Sequence, residues 1–511
     1  MRLISLELDQ FKNLKKFSIE FGDSFTSVLV GPNGTGKSNV LEALIIIFRD
    51  LDLGVLPIFP YRLRYSCKGS LVEIDADPLR KAPLTIVVDG NNVDRRSFSR
   101  KGGGNHLPNY VFGYYSGPSN RMQAHFETHQ KRFADDLLDG LDQPLRPLLY
   151  ARQVHSQFVL LSFFQNVDQE RSILAEHLRI ENLDSVLFVL KKPYWANTQR
   201  RTSEGGGDPR FWGARGVVQG FLDRLYALSL APLRSADDER IYLFLKNPRD
   251  LEQLASVYTG QQDFFKALES LYISDLIEDV RTNVRIKGTD DSLTFRELSE
   301  GEQQLLTVLG LLRFIDDNEG LIFLDEPDTH LNPAWSIDYI SMLRRHVKDQ
   351  GSTQVLMTTH DPLVIGSLKA EDVQLMHRTE DGVVGAAHPE EDPRGMGVAA
   401  LLTSDLYGLR SSLDTVTLQQ LDRKRDLAAE QDLTVDERDE LTNLNRVLGR
   451  IDFTTTVRDP LYKPFVKALS RIERDFHLRY PILSKEQMDN RDEAAYEIAR
   501  LLMQATAQEK Q

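Results

Sequence analysis

The feature that most constrains this chain is the octapeptide Gly31-Pro-Asn-Gly-Thr-Gly-Lys-Ser38, which fits the pattern G-x-x-x-x-G-K-[ST]. It follows the apolar run Ser27-Val-Leu-Val30 and precedes Asn39–Phe48, whose length and apolar content are those of a buried helix. A strand that turns into a helix around glycines aims backbone N–H groups inward, and the helix N-terminus adds its positive dipole end. Such a turn holds phosphate. The candidate nucleotide-binding residues are therefore Gly31, Pro32, Asn33, Gly34, Thr35, Gly36, Lys37, Ser38 and Asn39. Among them Lys37 would reach the β- and γ-phosphates, and the Ser38 hydroxyl would ligate Mg²⁺. A fortuitous glycine turn is the bland alternative, and the flanking strand and helix argue against it.

Three further segments extend this chemistry. In Leu321-Ile-Phe-Leu-Asp-Glu-Pro327 four apolar residues deliver two carboxylates to the end of a buried strand. Asp325 suits the Mg²⁺ shell, and Glu326 suits the orientation and deprotonation of a water. Leu298-Ser-Glu-Gly-Glu-Gln-Gln304 opens an apolar helix, with Ser299 and Glu302 at capping-box spacing. The same Ser–Gly helix start is also an anion-binding end. Finally, Val355-Leu-Met-Thr-Thr-His360 places a histidine at the end of another apolar strand. Alone it would be structural; beside the other three motifs it becomes a candidate γ-phosphate sensor.

Together, and in the chain order 31–38, 298–304, 321–327 and 355–360, the four segments resemble the Walker A, signature, Walker B and switch-histidine motifs of the ATP-binding-cassette ATPases of the SMC and RecF type, over about residues 1–125 and 240–375. The resemblance implies an α/β fold: a P-loop head with a mixed sheet, a compact helical insertion and a mostly helical C-terminal region. It implies ATP and Mg²⁺ as cofactors. It also implies a site shared by two chains, with Lys37, Ser38, Asp325, Glu326 and His360 from one and Ser299 and Gly301 from the other. The catalytic set is then Lys37, Glu326 and His360, and the metal set Ser38, Asp325 and the Mg²⁺-sensing glutamine, for which Gln123 is the candidate. Asp328-Thr-His-Leu331 would touch the partner head, so a homodimer or higher homo-oligomer is expected. Lys37 and Asp325 lie further apart than a minimal cassette requires, yet far too close for a long coiled-coil arm.

Finer strings narrow the resemblance: Tyr114-Tyr-Ser-Gly-Pro-Ser-Asn-Arg-Met122, Leu401–Ser411 and Arg458–Phe465 are similar to the Septu-type PtuA ATPases of bacterial antiphage systems, some of them retron-associated. That likeness implies an HNH nuclease partner of the PtuB kind, with cutting done by the partner. Two alternatives stand: a DNA repair or recombination ATPase that binds DNA directly, and an OLD-type ATPase–nuclease. The last needs a Glu and an Asp-x-Asp on adjacent strands after His360, and no such pairing is found there. Asp75-Ala-Asp77 precedes the signature segment, and His125-Phe-Glu-Thr-His129 has zinc-like spacing but lacks a third ligand.

Composition sets the remaining bounds. The 511 residues carry a net charge of −14, a single cysteine (Cys67) and no apolar run near membrane-spanning length. A cytoplasmic, reduced protein with no membrane association is expected. The charge is uneven: residues 1–235 carry 30 basic and 25 acidic side chains, residues 236–511 carry 32 and 51. Any DNA or retron RNA–DNA contact is expected in 1–235, through residues such as Arg95, Arg96, Lys191, Lys192, Arg200 and Arg201. The expected organisation is 1–126 (N-terminal head with P-loop), 127–235 (helical insertion), 236–380 (C-terminal head with signature and Walker B) and 381–511 (helical region for partner or self-assembly).

Overall fold

The computed structural model describes residues 1–100, 103–138, 147–166, 174–175, 178–197, 207–288, 292–314, 319–347, 350–379, 381–430, 432–450, 468 and 485–508. The chain divides into two units, Met1–His388 and Pro389–Gln511.

The apolar run after the P-loop becomes the middle of helix Lys37–Leu53, in which Val40, Leu41, Leu44, Ile45, Ile47 and Phe48 are all buried. A helix that is apolar all round must be covered all round. One continuous apolar core joins it to two sheets. The first is antiparallel, in the order Leu14–Glu20, Arg2–Phe11, Tyr61–Cys67, Ser70–Ala76, Leu84–Val88 and Asn91–Asn92. Its strands alternate: Leu63, Tyr65 and Cys67 point inward, while Arg62 and Arg64 point to solvent and pair with Glu7 and Glu73. Burial raises the pKa of the Cys67 thiol.

The second sheet runs from edge to edge as Val384–Ala387, Val373–Arg378, Thr26–Val30, Thr353–Thr358, Gly320–Asp325, Tyr110–Tyr115 and Leu148–Tyr150. All its pairs are parallel except that of Val384–Ala387 with Val373–Arg378. Thr26–Val30, Gly320–Asp325 and Thr353–Thr358 are buried at every position, as strands covered on both faces must be. Their C-terminal ends carry the P-loop, Asp325-Glu326 and Thr358-Thr359-His360. This is the edge of a parallel sheet where α/β folds place ligands. Because Val384–Ala387 belongs to this sheet, the first unit extends past the expected boundary at 380 to His388.

The insertion is not helical throughout. Ile180–Lys191 is a 12-residue strand at the centre of an antiparallel sheet ordered Leu233–Arg234, Arg240–Leu245, Ile180–Lys191, Ile277–Ile286 and Ser292–Thr294. This sheet crosses the expected boundary at 235/236, so residues 127–235 do not form a separate helical body. The apolar run Val186–Leu190 has no periodicity that separates strand from helix, and its pairing is decided by Val280 and Leu243 opposite Phe188. Helices Gln153–Phe163 and Glu300–Phe314 pack closely here: a Cβ at Gly310 would lie 2.1 Å from Cγ1 of Val159.

In the second unit, helices Thr415–Ala429 and Val435–Arg450 pair through Arg423, which donates to both carboxylate oxygens of Glu440 at 2.9 and 2.7 Å. Asp414 caps the first, and Thr434 with Glu437 forms the capping box of the second. Segment 458–465 lies outside the described residues. Among the described residues no helix is long and apolar enough to cross a membrane.

Candidate nucleotide site

Strand Thr26–Val30 ends at Gly31, whose φ is 145° and whose Cβ, if present, would lie 2.2 Å from the carbonyl oxygen of Met376. Gly36, at φ 99°, caps the following helix, and a Cβ there would lie 2.8 Å from Oδ1 of Asn13. Both positions exclude any side chain, which is why glycine stands at each. Asn13, in the turn between the first two strands, is the brace. Its Nδ2 donates to Gly34 O at 2.9 Å, and its Oδ1 accepts from Asn39 Nδ2 at 2.6 Å. Arg378 also donates to Gly34 O, at 2.9 Å. Pro32, Asn33 and Gly34 are exposed, while the Thr35 hydroxyl turns back to Pro32 O at 2.9 Å.

Lys37 is buried, and its ammonium donates to Gly31 O at 2.7 Å and Pro32 O at 3.3 Å. Burial lowers its pKa to about 8, against the opposing pull of Glu326 and Asp325. At the first turn of the helix, Ser38 Oγ donates to Asp325 Oδ1 at 2.9 Å, and Thr358 Oγ1 donates to the same oxygen at 2.6 Å. The other oxygen, Oδ2, is buried without a hydrogen-bond partner among the described residues. Asp325 itself is fully buried, and desolvation raises its pKa despite the two hydroxyl donors. A hard divalent cation takes carboxylate and hydroxyl oxygens. Ser38 Oγ and an orphaned Asp325 Oδ2 are a donor pair that fits Mg²⁺.

Glu326 turns away from the strand at φ 51°, a conformation that costs a non-glycine residue about 1 kcal/mol or more. Its backbone N–H donates to the Thr358 carbonyl at 3.2 Å and the Thr358 hydroxyl at 3.1 Å. The side chain is half exposed, with its Oε1 3.6 Å from Nε2 of His360. Burial, then the nearby Lys37 charge, lowers the pKa of His360, so its imidazole is neutral at neutral pH. Next to it Asp328 is buried and accepts from the Thr359 hydroxyl; desolvation raises its pKa to about 7.

The signature segment is built differently. Ser299 is exposed, and both its N–H and its hydroxyl donate to Glu302 Oε2 at 2.8 Å. Gly301 is packed so tightly that a Cβ would lie 2.3 Å from His330 O, in the loop after Glu326. Signature and loop therefore touch within one chain. The hydrogen bonds of Ser299 go to its own capping box, not to the P-loop.

Gln123 opens the 3₁₀ turn Gln123–Phe126 and lines a cavity of about 420 Å³ together with Gln153, Gln303 and His330. The side chain that approaches Asp325 is instead Arg121, whose Nη2 is 3.8 Å from Oδ2. Asn13, Thr358 and Arg121 escape a reading of the sequence. Thr358 has a faint signal, two residues before His360, and Arg121 lies in the string Tyr114–Met122 with nothing there to mark its role; Asn13 has none.

The remaining candidates are committed elsewhere. His125 Nε2 meets Glu42 at 2.9 Å and His129 Nε2 meets Asp52 at 2.7 Å, both carboxylates on the P-loop helix. Asp75 and Asp77 pair with Arg80 at 2.8 and 3.0 Å. Lys191 pairs with Asp275 at 2.5 Å and Lys192 with Glu239 at 3.0 Å. Arg95 and Arg96 lie on the short helix capped by Asp94, whereas Arg200 and Arg201 are outside the described residues.

The site and its sheet are those of a P-loop nucleotide-binding α/β fold, and the chain resembles AAA-family ATPases. Residues 1–86 match the family described as AAA ATPase domain, and residues 200–366 match AAA domain, putative AbiEii toxin, Type IV TA system. Within that class the chain resembles the Septu protein PtuA of Bacillus mycoides, 25% identical over 236 residues, which are 44% of this chain and 32% of that protein. It thus matches about a third of PtuA's length. It is also 28% identical over 417 residues to the Retron Ec83 probable ATPase of Escherichia coli, covering 74% of this chain and 71% of that one. The SMC head domain from Thermotoga maritima superposes with a TM-score of 0.33 at 14% identity, covering 76% of this chain and 100% of that one.

Proposed function

We propose that this chain is an Mg²⁺-dependent ATPase of a bacterial antiphage system, and that ATP drives two heads together to control a partner nuclease of the HNH kind. The observation that carries the catalytic half is the buried Asp325 Oδ2 beside Ser38 Oγ, an oxygen that accepts no hydrogen bond among the described residues and is free to ligate a metal. When bound, Mg²⁺ supplies charge neutralisation at the phosphates. The protein supplies the rest. Lys37 exchanges two backbone carbonyls for phosphate oxygens, and the P-loop N–H groups hold the chain of phosphates. Glu326 takes the proton of the attacking water, and neutral His360 donates towards the terminal phosphate. Ser299 and Gly301 complete the site from the second chain once Glu302 releases the serine hydroxyl.

The antiphage role and the nuclease partner rest on the likeness to PtuA and to the retron ATPase. The test is co-expression with a neighbouring HNH protein, followed by nuclease assays in ATP, in ADP and without nucleotide. Co-purification with ATP-dependent nuclease control is expected. Nuclease activity indifferent to nucleotide and to Lys37→Ala would sink the regulatory part. Direct DNA or RNA–DNA binding through residues 1–235 is supported less, because Lys191 and Lys192 are neutralised by acidic partners. Salt-dependent binding lost on Arg95→Ala/Arg96→Ala would favour it.

A further inference from the structure

Arg121 stands where neither the motifs nor the family matches assign a residue. It follows strand Tyr110–Tyr115 and the five residues Ser116–Asn120, and its N–H donates to the Ser119 hydroxyl at 3.2 Å. Its guanidinium lies between two anions. Nη2 is 3.8 Å from Asp325 Oδ2, and Nε is 4.0 Å from Glu42 Oε2. Neither contact closes into a hydrogen bond, and Nε and Nη2 are buried without a hydrogen-bond partner among the described residues. An arginine has five N–H donors in a rigid fork, and leaving two of them buried and unsatisfied is costly.

The anions themselves are not free to move towards it. Glu42 is held by His125 Nε2 at 2.9 Å and by the Lys12 ammonium at 2.5 Å. Asp325 is held through its other oxygen by Ser38 and Thr358. Arg121 is therefore the cation that faces the one oxygen of Asp325 suited to a metal. A divalent ion on that oxygen removes the attraction and repels the guanidinium. The unsatisfied fork then needs an oxyanion, and planar bidentate recognition of phosphate is what a guanidinium does best.

We propose that Arg121 is a phosphate-contacting residue of the same chain's nucleotide site. It faces Asp325 while no cation is bound and turns to the terminal phosphate of the nucleotide when Mg²⁺ arrives. The proposal rests on the nucleotide-site reading given above. It makes Arg121 a reader of the third phosphate: ATP gains the contact, and ADP does not.

The experiment is equilibrium titration of fluorescent ATP and ADP analogues in Mg²⁺, with wild type, Arg121→Ala, Arg121→Lys and Lys37→Ala. Arg121→Ala should weaken ATP roughly tenfold or more while leaving ADP within about threefold, and Arg121→Lys should recover part of the loss. An unchanged ratio of ATP to ADP affinity in both Arg121 variants overturns the proposal. Should Arg121→Ala unfold, as read by thermal melting without nucleotide, Arg121→Lys alone decides, because it keeps the charge but loses the fork. Lys37→Ala separates the two readings. If it still binds both nucleotides as wild type does, the nucleotide site itself is wrong; if it does not, the outcome bears on Arg121 alone.

Discussion

The Walker side of the site and the signature side differ in how their polar groups are satisfied. At the end of the parallel sheet, Lys37 and Asp325 are buried, one Asp325 oxygen has no hydrogen-bond partner among the described residues, and Glu326 holds a left-handed backbone. At the start of helix Glu300–Phe314, Ser299 is exposed and fully engaged with Glu302 three residues on. The first region is assembled from distant strands and left needing a ligand. In the second, the polar groups of Ser299 are satisfied within four consecutive residues, although Gly301 packs against the loop at His330. This difference is what the proposed two-headed site would need, with one half awaiting a ligand and the other capped within its own helix start.

The contrast can be broken at four points. The largest effect is expected from Lys37→Ala, which should lower ATP affinity at least about 100-fold, or about 2.7 kcal/mol. Equilibrium titration of the isolated chain measures it; a loss below tenfold would place the phosphate charge elsewhere. Next comes Glu326→Gln, expected to lower kcat about 100-fold while ATP affinity stays within about threefold, as read by phosphate release beside titration. A variant with normal turnover removes Glu326 from the chemistry.

A third effect follows from pH. Lys37 without nucleotide loses its proton through about pH 8, and phosphate binding requires the charged form. Binding therefore takes up a proton above that pH, and ATP affinity should fall about fivefold from pH 8 to pH 9 while staying nearly level below pH 7. Lys37→Arg, charged throughout, should flatten the curve. The smallest effect belongs to the resting half. Ser299→Ala removes a helix cap and should cost about 1 kcal/mol in a urea titration, with nucleotide binding by the isolated chain unchanged. A binding loss as large as that of Lys37→Ala would mean that the signature already serves its own chain's P-loop.

Much of the fold was legible because it is written locally. The P-loop octapeptide, the apolar strands ending at Val30, Asp325 and Thr358, and the capping boxes at Ser299 and Thr434 are each encoded within a few residues. The strand Ile180–Lys191 was not legible, since a short apolar run carries no period that excludes a helix; pairing with Ile277–Ile286 decided it. The limits of the insertion failed for the same reason, because its central strand pairs beyond position 235.

By itself, then, the sequence determined that a phosphate-binding turn, two carboxylates, a capped helix start and a histidine would stand at the ends of strands and helices. Those outcomes depend on φ preferences, side-chain period and three-residue spacing, all of them short-range. Only the tertiary structure decided who faces whom. Asn13 braces the P-loop from a neighbouring hairpin, Thr358 shares an oxygen with Ser38, His125 and His129 hold the P-loop helix, and Arg121 confronts Asp325. Pairings between residues tens to hundreds of positions apart follow from how the sheets stack around one buried helix, and no local pattern records them.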